Sequence, residues 1–108
     1  MSASNFDTEL EELFHLAVGR LQNVEVFDPL AFERLLLYLD TKAEAIKSEH
    51  VVSKQVLHHI LWAAKSLEGA RSLPAQASVL IPKLYELVDL IAIGEAPSDR
   101  KAGILRVI

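Results

Sequence analysis

The chain has 108 residues, about half of them hydrophobic, no cysteine, and a net charge of −4. That length supports one core burying roughly 60–70% of the unfolded surface, and that hydrophobic content excludes a disordered protein. Without cysteine there is no disulfide, thiolate catalysis or cysteine-ligated zinc, and apolar runs such as Leu35–Leu39 fall far short of the roughly 20 residues a membrane span needs.

The first residues, MSASNFDTELEE, lack the basic region and apolar stretch of a secretion signal, so a cytoplasmic protein is expected. Leu10, Leu13, Phe14, Ala17, Leu21 and Val24 then recur at steps of three and four, which predicts a helix over residues 9–22. Thr8 and Glu11 read as its capping box, and Gly19 inside it as the mark of a close helix crossing.

A second helix is expected over 29–47, capped by Asp28 with Pro29 at its first position and with Phe27 and Phe32 as a hydrophobic staple. Its inward stripe is Phe32, Leu35, Leu36, Leu39, Ala43 and Ile46. A third is expected over 54–69, capped by Ser53 and stapled by Val52 and Leu57, with Val56, Leu57, Ile60, Leu61, Ala64 and Leu67 on its wide apolar face.

A fourth is expected over 79–93 with Ser78 as cap; a helical lead-in from Ala75 with a kink at Pro82 is the alternative. Leu80, Ile81, Leu84, Leu87, Val88 and Ile91 face the core, and Gly94 ends the helix. No segment alternates as a half-buried strand does. The expected fold is therefore all-α: a single domain, 1–108, built as a four-helix antiparallel bundle with an extended C-terminal tail, 95–108.

The search for chemistry yields little. His58 and His59 are adjacent, diverge by about 100° around a helix, and have no Asp, Glu or His at helical offsets, so they read as boundary residues beside Trp62 rather than metal ligands. The serines fall at caps and loops, and the glycines are isolated, leaving no nucleophile elbow and no phosphate loop. Glu9, Glu11, Glu12, Glu33, Asp40 and Glu44 are expected on exposed faces with ordinary pKa values. No catalytic residue, metal or cofactor is expected, and the chain does not read as an enzyme.

Charge is distributed unevenly. Residues 1–40 hold eight acids against two bases, a net −6, and the remainder is +2 with no basic stripe for phosphates, which argues against nucleic acid. On helix 2, Glu33, Leu37, Asp40 and Glu44 line a face the core does not need, with Arg34 and Tyr38 in the next row. An apolar anchor and a tyrosine inside a charged rim have the composition of an interface hot spot. The candidate partner-binding residues are Glu9, Glu12, Glu33, Leu37, Tyr38, Asp40 and Glu44; the alternative is that helix 4 or the tail covers Leu37 and Tyr38.

The stretch LAVGRLQNVEVFDPLAFERLLLYLD, residues 16–40, is similar in layout to the all-α immunity proteins associated with type VI secretion effectors. In both, an amphipathic helix with an Arg-Leu pair near its end leads through a short turn into a Leu-rich helix. The resemblance implies a stoichiometric inhibitor, an immunity protein or antitoxin, that binds a bacterial toxin domain. A basic surface on that toxin suits the acidic first half of the chain. Two other readings are a self-associating adaptor module, a homodimer, and a small-ligand pocket near His58, Trp62 and Tyr85. The closing RKAGILRVI is expected to fold back in extended form over a seam between helices; pairing with a second subunit or with the toxin by strand addition is the alternative.

Overall fold

The structure is a computed structural model that describes residues 7–49, 51–70 and 73–99. Among these residues it is all-α, with four helices and no strand. The expected tail lies largely outside the described residues, which end with a 3₁₀ turn at Pro97–Asp99.

Helix α1 is one rod in three parts: Thr8–Phe14, a π-helical turn His15–Gly19, and Arg20–Val24. Its cap is Asp7, whose carboxylate accepts the Leu10 amide at 3.0 Å, rather than Thr8, which is already helical. Asp and Thr are both good caps, and the carboxylate prevails because it has further partners to meet. The π turn takes up one extra residue in the rod. Leu10, Phe14, Ala17, Val18 and Leu21 are buried, whereas Val24, placed inward by the helical period, is the last helical residue and is 61% exposed. Gly19 lies in the π turn and makes no close crossing, since a Cβ there would meet only His15 atoms at 3.9 Å. Glu25 closes α1 in the left-handed region at φ 55°, a conformation that costs a non-glycine residue about 1 kcal/mol.

Helix α2, Pro29–Ile46, opens as its residues dictate. Asp28 accepts the Ala31 amide at 3.2 Å, and the Phe27 and Phe32 rings stack at 5.1 Å. Helix α3, Lys54–Gly69, is capped by the Ser53 hydroxyl, which accepts the Gln55 amide. His59 and Ala63 join its buried face, while Leu57 and Leu61 are half-buried.

Helix α4, Leu80–Ala92, is preceded by a one-turn lead-in, Ala75–Ser78, and the break between them falls at Val79 rather than at Pro82. Pro82 has no N–H for the Ser78 carbonyl, so the helical ladder fails one turn upstream of the proline itself. Ser78 is accordingly not a cap; its hydroxyl donates to the Ala75 carbonyl. Gly94, at φ 75°, ends α4: its amide donates to the Ile91 carbonyl, and the Glu95 amide donates to that of Leu90. This double bond is the Schellman arrangement, and a side chain at 94 would also crowd the Lys47 carbonyl at 3.3 Å.

The four helices form two antiparallel hairpins, α1–α2 and α3–α4, laid side by side. Asp7 against Gln55, Glu11 against His59 and Gln22 against Ser66 show α1 running parallel to α3. Pro29 near Val79, Asp40 near Lys83 and Glu44 against Ser98 show the same for α2 and α4. Consecutive α2 and α3 barely touch, so the parallel pairs form the seams between hairpins. The core runs between them through fully buried Leu10, Phe32, Leu35, Ile60 and Leu84.

Candidate interaction surface

Three places on the bundle gather chemistry. The first is the start of α1. Asp7 Oδ2 accepts from the Tyr38 hydroxyl at 2.7 Å and from Lys42 Nζ at 2.9 Å, both on α2. Its backbone exchanges two 2.8 Å hydrogen bonds with the Gln55 amide on α3. Burial alone would raise the Asp7 pKa, but Lys42, the Leu10 amide and the Tyr38 hydroxyl outweigh it and hold the carboxyl at about 2. Burial, the Asp7 carboxylate and the Glu9 charge push Tyr38 in turn up to about 12. Tyr38 is thus half-buried, and its polar tip is engaged within the bundle.

The second is the α1–α3 seam. His59 is a buried residue rather than a boundary one, stacked on Phe14 at 4.0 Å with its Nε2 2.7 Å from the Glu11 carboxylate. Glu11 is therefore not on an open face; its other oxygen lies 3.7 Å from His15. His59 Nδ1 has no hydrogen-bond partner among the described residues. Burial pushes the His59 pKa down, opposed by Glu11 and reinforced by His58 and His15. His58 stacks at the surface on Trp62, 5.7 Å between rings, and Tyr85 donates to Glu68. Among the described residues no group of three or more His, Asp or Glu is placed to hold a metal ion.

Because the folded-state pKa of His59 lies below its ordinary 6.5, the unfolded chain takes up the proton first. Stability then falls as pH drops below about 6.5. His59→Leu, which removes the titration and the orphaned Nδ1 together with the Glu11 contact, is expected to lower stability somewhat at neutral pH and to flatten this decline. Urea midpoints measured at about pH 7.5 and about pH 5.5 check it, and an unchanged slope in the variant would count against the assignment.

The third place is the outer strip of α2 and the groove beside it. Leu37 is 67% exposed, more than any other leucine among the described residues, and Glu33 is exposed one turn before it. Both stand on the lip of a groove of about 460 Å³ between α2 and α4, shared with Leu36, Asp40, Leu80 and Lys83. Asp40 is partly buried there. Burial raises its pKa, the Lys83 charge opposes that and Glu44 adds to it, so this carboxylate departs from the ordinary value expected on an open face. Glu44 departs the other way: the Ser98 contact, against some burial and with help from Lys47, holds it low. Its carboxylate accepts the Ser98 amide at 3.1 Å, tying the chain beyond α4 to α2.

Of the seven residues singled out in the sequence, Glu33, Leu37 and Asp40 therefore share one groove edge. Tyr38 and Glu44 are engaged in contacts inside the molecule, and Glu9 and Glu12 lie exposed on α1, Glu9 near Tyr38. Leu36, Leu80 and Lys83 were assigned to the core or to no role by their periodicity, and no local pattern marks them as groove residues. Among the described residues no helix is long and apolar enough to cross a membrane. No family model, curated protein or solved structure matches the chain.

Proposed function

We propose that this protein is a noncatalytic, stoichiometric inhibitor of a partner protein, an immunity protein or antitoxin of the bacterial cytoplasm, and that the outer strip of α2 receives a basic surface of a toxin domain. The observation that carries this reading is Leu37, left in water among carboxylates on the lip of an apolar-floored groove. A desolvated leucine supplies affinity there, while Glu33 and Asp40 steer a basic partner and reject an acidic one.

The test is a titration against the product of the adjacent gene, where a toxin for such an inhibitor is encoded. Leu37→Ala, Glu33→Lys and Asp40→Lys are each expected to weaken binding about tenfold or more, a loss of about 1.4 kcal/mol or greater, with helical circular dichroism retained. Unchanged affinity in all three variants overturns the reading, as does light scattering that shows α2 strips paired in a homodimer.

A further inference from the structure

The outer face of the α1–α2 hairpin holds a smaller hollow, apart from the α2–α4 groove. Among the described residues three leucines are exposed, Leu16, Leu30 and Leu37, and all three lie on this hairpin. Leu30, Arg34 and Leu37 follow one another along α2 at steps of four and three, which puts them on one ridge turned away from the core. Leu16, 52% exposed, and Leu30, 55% exposed, share a hollow of about 130 Å³ with half-buried Leu13 and Ala31. Arg20, Asp28 and Arg34 complete its lining.

The ridge divides charge of opposite sign. On its α4 flank stand Glu33 and Asp40, which line the α2–α4 groove. On its α1 flank the hollow holds two arginines in different states. Arg20 is fixed: its guanidinium donates to the Asp28 carboxylate at 3.0 Å, and the other oxygen of that carboxylate caps the Ala31 amide. These bonds hold the turn between α1 and α2 from both sides, so the walls of the hollow are preorganised. Arg34 is exposed and makes no hydrogen bond or ion pair with any described residue. A guanidinium with its fork of donors unused, beside two leucines left in water, matches a carboxylate next to an apolar side chain.

We propose, resting on the reading of α2 as the face that binds an inhibited partner, that this surface continues over the leucine ridge onto α1. The hollow between Leu16 and Leu30 takes a large apolar side chain of the partner protein, and Arg34 takes a carboxylate beside it. The partner's contact element is thus basic where it meets Glu33 and Asp40, acidic where it meets Arg34, and apolar between the two. Opposite charges on the two sides of one ridge admit a single orientation of the docked element, because turning it around sets like charges against each other on both flanks.

Affinity titrations of the full-length protein against the product of the adjacent gene test this surface. Leu16→Ala, Leu30→Ala and Arg34→Ala are each expected to weaken binding about tenfold. Helical circular dichroism should be retained, because all three side chains are exposed. Val51→Ala, which trims an equally exposed side chain on the link to α3, should leave the affinity unchanged. In double-mutant cycles of Arg34→Ala with alanine variants of the partner's carboxylates, one carboxylate is expected to couple to Arg34 by about fivefold or more. Weakening by Leu37→Ala, Glu33→Lys and Asp40→Lys with none by Leu16→Ala and Leu30→Ala overturns the extension onto α1 and leaves the inhibitor reading standing. The absence of any coupled carboxylate, or a loss in Val51→Ala as large as in Leu30→Ala, overturns it as well. Weakening by Leu16→Ala, Leu30→Ala and Arg34→Ala alone removes Glu33 and Asp40 from the interface and keeps the hollow as the docking site, and no binding by any form of the chain overturns both.

Discussion

Replacing Asp7 with alanine is expected to destabilise the bundle by about 3 kcal/mol, lowering Tm by roughly 12 °C. About 1 kcal/mol of this is the lost cap of α1. The remainder comes from Tyr38 and Lys42, which are left half-buried against an apolar methyl with no acceptor for their donors. Asp7→Asn separates the two contributions, because its carbonyl still caps the Leu10 amide while the charge is gone; a loss of about 2 kcal/mol is expected. The sign of the pH dependence follows from the carboxyl being held at about 2 in the folded protein against 3.8 ordinarily. Its contribution, roughly 2 to 2.5 kcal/mol, is present above pH 3.8 and disappears as pH falls toward 2. Wild type and Asp7→Asn should therefore converge in stability at the acid end and diverge above it; parallel curves would show that the charge is not what Lys42 and Tyr38 hold.

Phe32→Ala is expected to cost more still, about 4 kcal/mol, because it empties a fully buried aromatic site in the middle of the core. The same ring anchors the staple that sets the entry of α2. Phe27→Ala removes only the half-buried partner of that stack and should cost about half as much. Denaturant melts of the two variants distinguish core from staple, and equal losses would place the ring's main contribution at the helix entry instead.

These two positions also show what could be read from the sequence. Phe27, Asp28, Pro29 and Phe32 form a helix start within six residues, and all the forces that act on it are local, so it is legible without any tertiary information. Ser53 and Gly94 are legible for the same reason. Asp7 is not: its advantage over Thr8 as a cap comes from Tyr38, Lys42 and Gln55, residues 31 to 48 positions away. The π turn is not legible because a periodicity argument assumes 3.6 residues per turn throughout, and Val24 is exposed because the helix ends with it. His59 was read from its neighbour rather than from Glu11, which no helical offset connects to it.

The surface of α2 was partly legible. A period of three and four separates Leu37 from the core stripe, which is why its exposure could be anticipated. Whether Tyr38 and Asp40 point to solvent depends on which neighbour covers each flank of α2, and that is a property of the bundle's arrangement. The groove shared by Leu36, Leu80 and Lys83 depends on α2 lying parallel to α4, a relation between segments some 45 residues apart that local pattern does not encode.

That arrangement has a consequence for the integrity of the chain. Since α2 and α3 barely touch, and Ser48, Glu49 and Val51 between them are exposed, covalent continuity around Glu49 contributes little packing. Asp7 with Gln55, Glu11 with His59 and Glu44 with Ser98 each join a residue before that link to one after it, so they bridge the two hairpins through space without the backbone between. A protein cut there is in effect two complementary halves, each carrying one wall of both seams, and co-expressed halves should reassemble into the intact bundle.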